Sequence, residues 1–108
     1  FSPHLAIQQC IDDVRSICFE TYSVAPHVQI DNNLNESFPY FPNIVEYILR
    51  EILKNSMRAL VETNKMALGN IHHVKQYFED HRDKPLCKVI VTSDPTDEHF
   101  TIAVRDQG

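Results

Sequence analysis

The chain has 108 residues, of which 43% are hydrophobic, and a formal charge of −5 at pH 7, which suits one domain with a modest core. No apolar run approaches the roughly 20 residues of a membrane span, and the acidic balance argues against a nucleic-acid surface. A nucleotide is still compatible with this charge, because a divalent metal can neutralise phosphates locally. The three cysteines are too few for a disulfide framework, and Cys10 and Cys18 are interpreted as buried thiols.

The first predicted elements are a long helix and a short strand. Ser2 and Pro3 are typical of a helix start, and the helix is expected to run to about Tyr22. Its apolar residues recur every three or four positions, at Ile7, Cys10, Ile11, Val14, Ile17 and Cys18. Pro26 ends this pattern, and residues 27–30 are a strand candidate.

A second helix follows an aromatic, proline-rich approach at residues 38–42, which must be extended. Asn43 is a natural N-cap, and Glu46 completes a pattern close to a capping box. The helix is predicted to reach about Thr63. Residues 64–86 are interpreted as an insertion that contains a short helix from Ile71 to Asp80.

The period changes to two after Pro85. Residues 87–92 and 100–105 each alternate in the manner of a strand, and residues 93–98 form a turn between them. The chain therefore predicts an α+β fold, with helices on one face of a sheet.

The second helix carries a polar stripe. At about 100° per residue, Glu51, Asn55, Arg58 and Glu62 fall within about 60° of one another. The opposite arc is apolar and contains Val45, Ile48, Leu49, Ile52, Leu53, Ala59 and Leu60. An ordinary solvated face is one interpretation, with Arg58 and Glu62 as an i, i+4 ion pair. Asn55 favours another, because a short amide in mid-helix competes with the backbone.

The run EILKNSMRALVE at residues 51–62 resembles the N-box of the GHKL superfamily of ATP-binding proteins. Lys54, Met57, Arg58 and Ala59 together resemble the mitochondrial kinases of pyruvate and branched-chain 2-oxoacid dehydrogenases more than bacterial histidine kinases. The final residues, RDQG at 105–108, are similar to the start of the G1 box of that superfamily, and the order of elements agrees.

This resemblance implies a truncated GHKL (Bergerat-type) α/β sandwich with a mixed sheet, and ATP and Mg²⁺ as cofactors. Asn55 would ligate Mg²⁺, and Glu51 would act as general base. Arg58 would contact phosphate or hold Glu51, and these two alternatives stay open. Asp106 would accept a hydrogen bond from adenine, with Gly108 beside it in the nucleotide site, although a simple strand-end turn residue is the alternative for Asp106.

The resemblance further implies a mitochondrial-matrix protein serine kinase that inactivates a pyruvate or branched-chain dehydrogenase. The chain would be the N-terminal part of its nucleotide-binding domain, inactive alone without the lid and G2 box. A preceding helical domain would bind a lipoyl domain, and the parent would be a homodimer that binds no nucleic acid. Two alternatives are a histidine kinase catalytic domain and a non-catalytic GHKL scaffold module.

Overall fold

Residues 3–33, 43–93 and 100–106 are described by a computed structural model of the chain. The described residues form helices α1 (Pro3–Tyr22), α2 (Asn43–Leu68) and α3 (Ile71–Asp80), together with strands β1 (Val28–Asn33), β2 (Cys87–Ser93) and β3 (Phe100–Arg105). This confirms the predicted α+β class, and the arrangement is consistent with a truncated GHKL-like fragment. None of the described helices is long and apolar enough to cross a membrane.

The described strands make one mixed sheet in the order β1-β2-β3. Strand β1 pairs in parallel with β2, in the register Val28 to Cys87, and β2 pairs antiparallel with β3, in the register Val89 to Val104. Because side chains alternate along a strand, this register places Val28, Cys87, Val89 and Val104 on one face of the sheet.

That face packs against the helices to form the core. Strand β2 is fully buried at Cys87, Val89 and Val91, and β1 and β3 add partly buried apolar side chains. Helix α1 buries most of the side chains that its period predicts, with Ile7, Cys10, Ile11, Val14 and Cys18 all at most 5% exposed, whereas Ile17, predicted on the same face, is 48% exposed. The three cysteines are free and buried, so the interpretation of Cys10 and Cys18 as buried thiols is confirmed.

Helix α2 is longer than predicted and less regular in its burial. It continues to Leu68, and its buried face is formed by Leu49, Leu53, Met57, Leu60, Val61 and Asn64. Ile48 and Ile52, assigned from sequence to the apolar arc, are 48% and 42% exposed. The buried arc centres near Leu53 and Leu60, so at about 100° per residue these two isoleucines fall between it and the polar stripe.

A tight turn joins α2 to α3. Gly69 has a φ of 87°, a left-handed conformation that glycine adopts without steric penalty. Asn70 then caps α3, because its side-chain oxygen accepts a hydrogen bond from the backbone N–H of His73 at 2.9 Å. The predicted short helix at 71–80 is confirmed, and it adds Val74 and Phe78 to the core. Whether residues 64–86 are an insertion stays a prediction.

Several predicted features lie outside the described residues. These are the N-cap at Ser2, the extended segment at 38–42, most of the turn between β2 and β3, and Gly108 of the candidate nucleotide site.

Candidate functional site

The polar stripe of α2 lies on the side of the helix that faces away from the core. Asn55 and Arg58 are exposed, and the Glu51 side chain is 45% exposed. The Glu51 carboxylate accepts a hydrogen bond from Lys54 Nζ at 3.1 Å, an i, i+3 ion pair on the helix surface. The same burial that places Leu53 and Met57 in the core therefore turns these polar groups outward.

Two of the stripe residues line a cleft between α1 and α2, which we call the α1–α2 cleft. It has a volume of about 250 Å³. Helix α2 contributes Lys54, Asn55 and Arg58, and α1 contributes a mostly apolar wall made of Val14, Ile17, Cys18, Thr21 and Tyr22. One amide and two cationic side chains thus meet in a small, open cleft.

Glu62, the fourth residue of the stripe, is engaged by α1. The Tyr22 hydroxyl donates to Glu62 Oε1 at 3.3 Å. Burial, followed by the negative charge of Glu62, raises the pKa of the Tyr22 phenol. Arg58 makes no ion pair with any residue that the structure describes, so its guanidinium is not committed to Glu62 within this part of the chain. That leaves Arg58 available for an anionic ligand.

Asp106 lines a second cleft, which we call the α2–α3 cleft. It has a volume of about 490 Å³, and its walls are Ala59, Leu60, Thr63, Asn64, Ala67 and Leu68 of α2 and Tyr77 of α3. Asp106 follows Val104 by two positions, and it shares this cleft with side chains of α2 and α3. Its negative charge also reaches the buried Cys87: burial first, and then Asp106, raises the pKa of that thiol to about 12.

The predicted site residues are therefore divided between two places. Asn55 and Arg58 share the α1–α2 cleft, Asp106 lies in the α2–α3 cleft, and Glu51 lines neither. Helix α2 connects them. Asn55 and Thr63, which lines the second cleft, are separated by about 12 Å along the helix axis at about 1.5 Å per residue. Around the helix, at about 100° per residue, Arg58 and Thr63 fall on opposite sides of Asn55, so the two clefts open on different sides of α2.

Two residues of the α2–α3 cleft were not predicted from sequence. Asn64 is only 7% exposed, and its Nδ2 donates to the Leu60 backbone oxygen at 2.7 Å. Tyr77 reaches the cleft from α3. Asn64 follows Leu60 by four positions and so continues the buried side of α2. A predicted helix that extended beyond Thr63 would have placed Asn64 on that side. The sequence contains no signal for where α3 packs.

The donor set in these clefts fits a magnesium ion that arrives with phosphates. Among the described residues, no three His, Cys, Asp or Glu side chains are close enough together to hold a metal ion by themselves. The exposed Asn55 amide makes no hydrogen bond to another described residue. Mg²⁺ takes hard oxygen ligands and retains waters, so one amide oxygen together with ligand phosphates is a sufficient set.

The described fold is thus an α+β fragment consistent with a truncated GHKL-like domain that carries an exposed polar stripe between two clefts. No protein-family model matches the chain. The chain is 31% identical, over 107 residues, to a mitochondrial kinase of pyruvate dehydrogenase (acetyl-transferring) from Arabidopsis thaliana. The match covers 99% of this chain and 25% of that relative, so the chain spans about a quarter of the relative's length.

Proposed function

We propose that this chain is the ATP-binding part of a protein serine kinase of the pyruvate dehydrogenase kinase type. The observation that carries the proposal is Asn55, an exposed amide in the middle of α2 that lines a cleft beside two cations. A solvated helix face gains nothing from asparagine at such a position. A nucleotide site does, because the amide oxygen can ligate the magnesium of a bound nucleoside triphosphate.

A bound magnesium ion would neutralise phosphate charge during transfer, and Asn55 would hold it through its amide oxygen. Arg58 and Lys54 offer positive charge at the same cleft. Since Glu62 is bonded to Tyr22 and Glu51 to Lys54, the structure favours the phosphate role for Arg58 over the alternative of holding Glu51. A guanidinium suits this role because it can donate two parallel hydrogen bonds to phosphate oxygens.

Glu51 acts as the general base in this proposal. It lies one helical turn before Asn55, and Lys54 holds its carboxylate on the outer surface of α2. The carboxylate accepts the proton of the attacking serine hydroxyl as the serine oxygen bonds to the γ-phosphorus, and the bond from that phosphorus to the β,γ-bridging oxygen breaks to release ADP. Phosphoryl transfer asks mainly for positioning and charge stabilisation, and a base adds about 10²–10⁴-fold.

The adenine ring lies in the α2–α3 cleft, where most of the lining is apolar and Asp106 can accept a hydrogen bond from the exocyclic amine. The ribose and phosphates then follow α2 toward Asn55.

The wider activity is inferred from the relative's name and from the resemblance of residues 51–62 to the N-box of the mitochondrial dehydrogenase kinases. We propose that the parent protein phosphorylates and inactivates a 2-oxoacid dehydrogenase, pyruvate or branched-chain, in the mitochondrial matrix. It would act as a homodimer that binds the complex through a lipoyl domain. The pyruvate dehydrogenase and mitochondrial parts of this proposal rest on a relative of which the chain spans about a quarter, and the other parts rest on the motif resemblance alone.

Titration of the full-length protein with ATP, in the presence of Mg²⁺ and in the presence of EDTA, tests the proposal. Asn55→Ala is expected to remove the magnesium-dependent part of the affinity. Asn55→Asp retains an oxygen ligand and is expected to keep it. Both variants should fold, because Asn55 is exposed and contributes no core contact.

The absence of saturable ATP binding by the wild type would refute both kinase hypotheses and leave the scaffold module. Binding with transfer to a histidine rather than to a dehydrogenase serine would favour the histidine kinase alternative. An unchanged response to Mg²⁺ in Asn55→Ala would show that the metal lies elsewhere.

A further inference from the structure

The α2–α3 cleft contains two side chains that the proposed function does not use, Asn64 and Tyr77. Both are absent from the polar stripe, and both belong to the segment predicted to be an insertion, residues 64–86. Asp106 lies in the same cleft as both. Their chemistry bears on which ring the cleft can hold.

Asn64 presents a hydrogen-bond acceptor to this cleft. It is a polar side chain at 7% exposure, and its Nδ2 is used by the Leu60 backbone oxygen at 2.7 Å. Since a carbonyl can only accept, that bond fixes which end of the amide is the nitrogen. The remaining group is Oδ1, which receives no hydrogen bond from any described residue. No buried side-chain nitrogen or oxygen of the described residues lacks a partner, so this oxygen is accessible, and in the cleft that Asn64 lines it can accept a hydrogen bond from a ligand.

Tyr77 provides an aromatic wall whose position is set by its neighbours on α3. The rings of Tyr77 and His81 lie 4.3 Å apart between centroids at 48°, and His81 Nδ1 lies within hydrogen-bond distance of the Tyr77 backbone oxygen, at 2.8 Å. Val74 and Phe78 anchor α3 in the core. The half-buried ring is therefore held in place against the cleft before any ligand arrives.

We propose that Asn64 and Tyr77 contact the base of the bound nucleotide and select an amino-bearing purine over a 6-oxo purine. This inference rests on the proposed function, since it concerns the same ligand. The two N–H bonds of one exocyclic amine can meet two acceptors, Asp106 and Asn64 Oδ1. A carbonyl at that ring position would face the same two acceptors without a donor, and the site disfavours it. Tyr77 stacks on the ring, an interaction that does not depend on base identity.

Two variants separate these roles in the full-length protein. Asn64→Ser shortens the side chain and removes the acceptor, while its hydroxyl can still donate to the Leu60 carbonyl. Tyr77→Leu keeps an apolar wall and removes the ring. Lys65→Ser and Tyr47→Leu are matched controls, because both parent residues are exposed and neither lines the cleft.

Affinities for Mg²⁺–ATP, Mg²⁺–ITP and Mg²⁺–triphosphate are measured by calorimetry, with melting curves for each variant. Asn64→Ser is expected to reduce the ATP-to-ITP preference about fivefold, the net contribution of one hydrogen bond. Tyr77→Leu is expected to lower the affinity for both nucleotides about tenfold and to leave the affinity for triphosphate unchanged. If a substituted residue had a purely structural role, the affinities for all three ligands would change together.

Wild-type protein that binds none of these ligands would overturn the proposed function and this inference with it. Wild-type protein that binds ATP, with the ATP-to-ITP ratio unchanged in Asn64→Ser and affinities unchanged in Tyr77→Leu, would overturn this inference alone. Tyr77 is only half-buried, so its variant gives a result even if Asn64→Ser does not fold.

Discussion

Substitution of Glu51 by glutamine separates catalysis from folding and from nucleotide binding. The amide is nearly isosteric with the carboxylate and cannot accept the serine proton. We therefore expect Glu51→Gln to bind Mg²⁺–ATP as the wild type does and to lose phosphoryl transfer.

Glu51→Gln is expected to change the stability of the fold and the rate of phosphoryl transfer by different amounts. The ion pair that Glu51 makes with Lys54 spans 3.1 Å, and its partners are 45% and 49% exposed. Such helix surface pairs contribute about 0.3–0.5 kcal/mol to stability, because solvent screens them and ordering costs side-chain entropy. Removal of a general base reduces the rate about 10²–10⁴-fold, which is about 2.7–5.5 kcal/mol of activation free energy. The catalytic effect is thus at least about five times larger than the stability effect.

The assay is single-turnover transfer of labelled γ-phosphate from ATP to a dehydrogenase subunit by the full-length protein. Calorimetric ATP affinity and a urea unfolding midpoint are measured on the same preparations. Lys54→Gln breaks the same ion pair and gives its stability contribution independently. Glu62→Gln is the matched control for transfer, because Glu62 lies on the same stripe and its carboxylate is bonded to Tyr22.

Transfer by Glu51→Gln at the wild-type rate would refute the assignment of the base. A fall in transfer with an equal fall in ATP affinity would instead place Glu51 in binding. An equal fall for Glu62→Gln would show that the whole stripe, rather than one carboxylate, is required.

Two further predictions concern the scaffold that holds the site. Leu53→Ala is expected to lower the free energy of unfolding by about 2–5 kcal/mol, because Leu53 is fully buried. Met66 is 88% exposed, so Met66→Ala should change the free energy of unfolding little. Equal urea midpoints for the two variants would contradict the described core. A hydrogen bond from His27 lowers the pKa of the Glu79 carboxyl in the folded chain. The ionised carboxylate therefore stabilises the fold above the ordinary glutamate pKa of about 4.3, and this contribution is lost as the pH falls through the lower pKa of the folded state. Glu79→Gln should therefore weaken the dependence of the urea midpoint on pH in the acid range, and an unchanged dependence would exclude this contribution.

The sequence by itself determined the local elements and the chemistry of α2. Periods of 3.6 and two, together with proline, glycine and cap residues, act over a few positions, so they predicted α1, α3, the hairpin strands and the outward direction of Glu51, Asn55 and Arg58. These periods did not predict the limits of the buried side of α2, where Ile48 and Ile52 are half-exposed. The angular position of a residue on a helix does not determine how much of the helix surface a neighbouring element covers.

Only the tertiary structure decided how the candidate site is divided. Contacts between α1 and α2 placed Asn55 and Arg58 in one cleft, and contacts among α2, α3 and the end of β3 placed Asp106 in another with Asn64 and Tyr77. These residues are far apart in the chain. Their proximity depends on which apolar faces pack together, and this packing is a property of the whole core that no local pattern encodes.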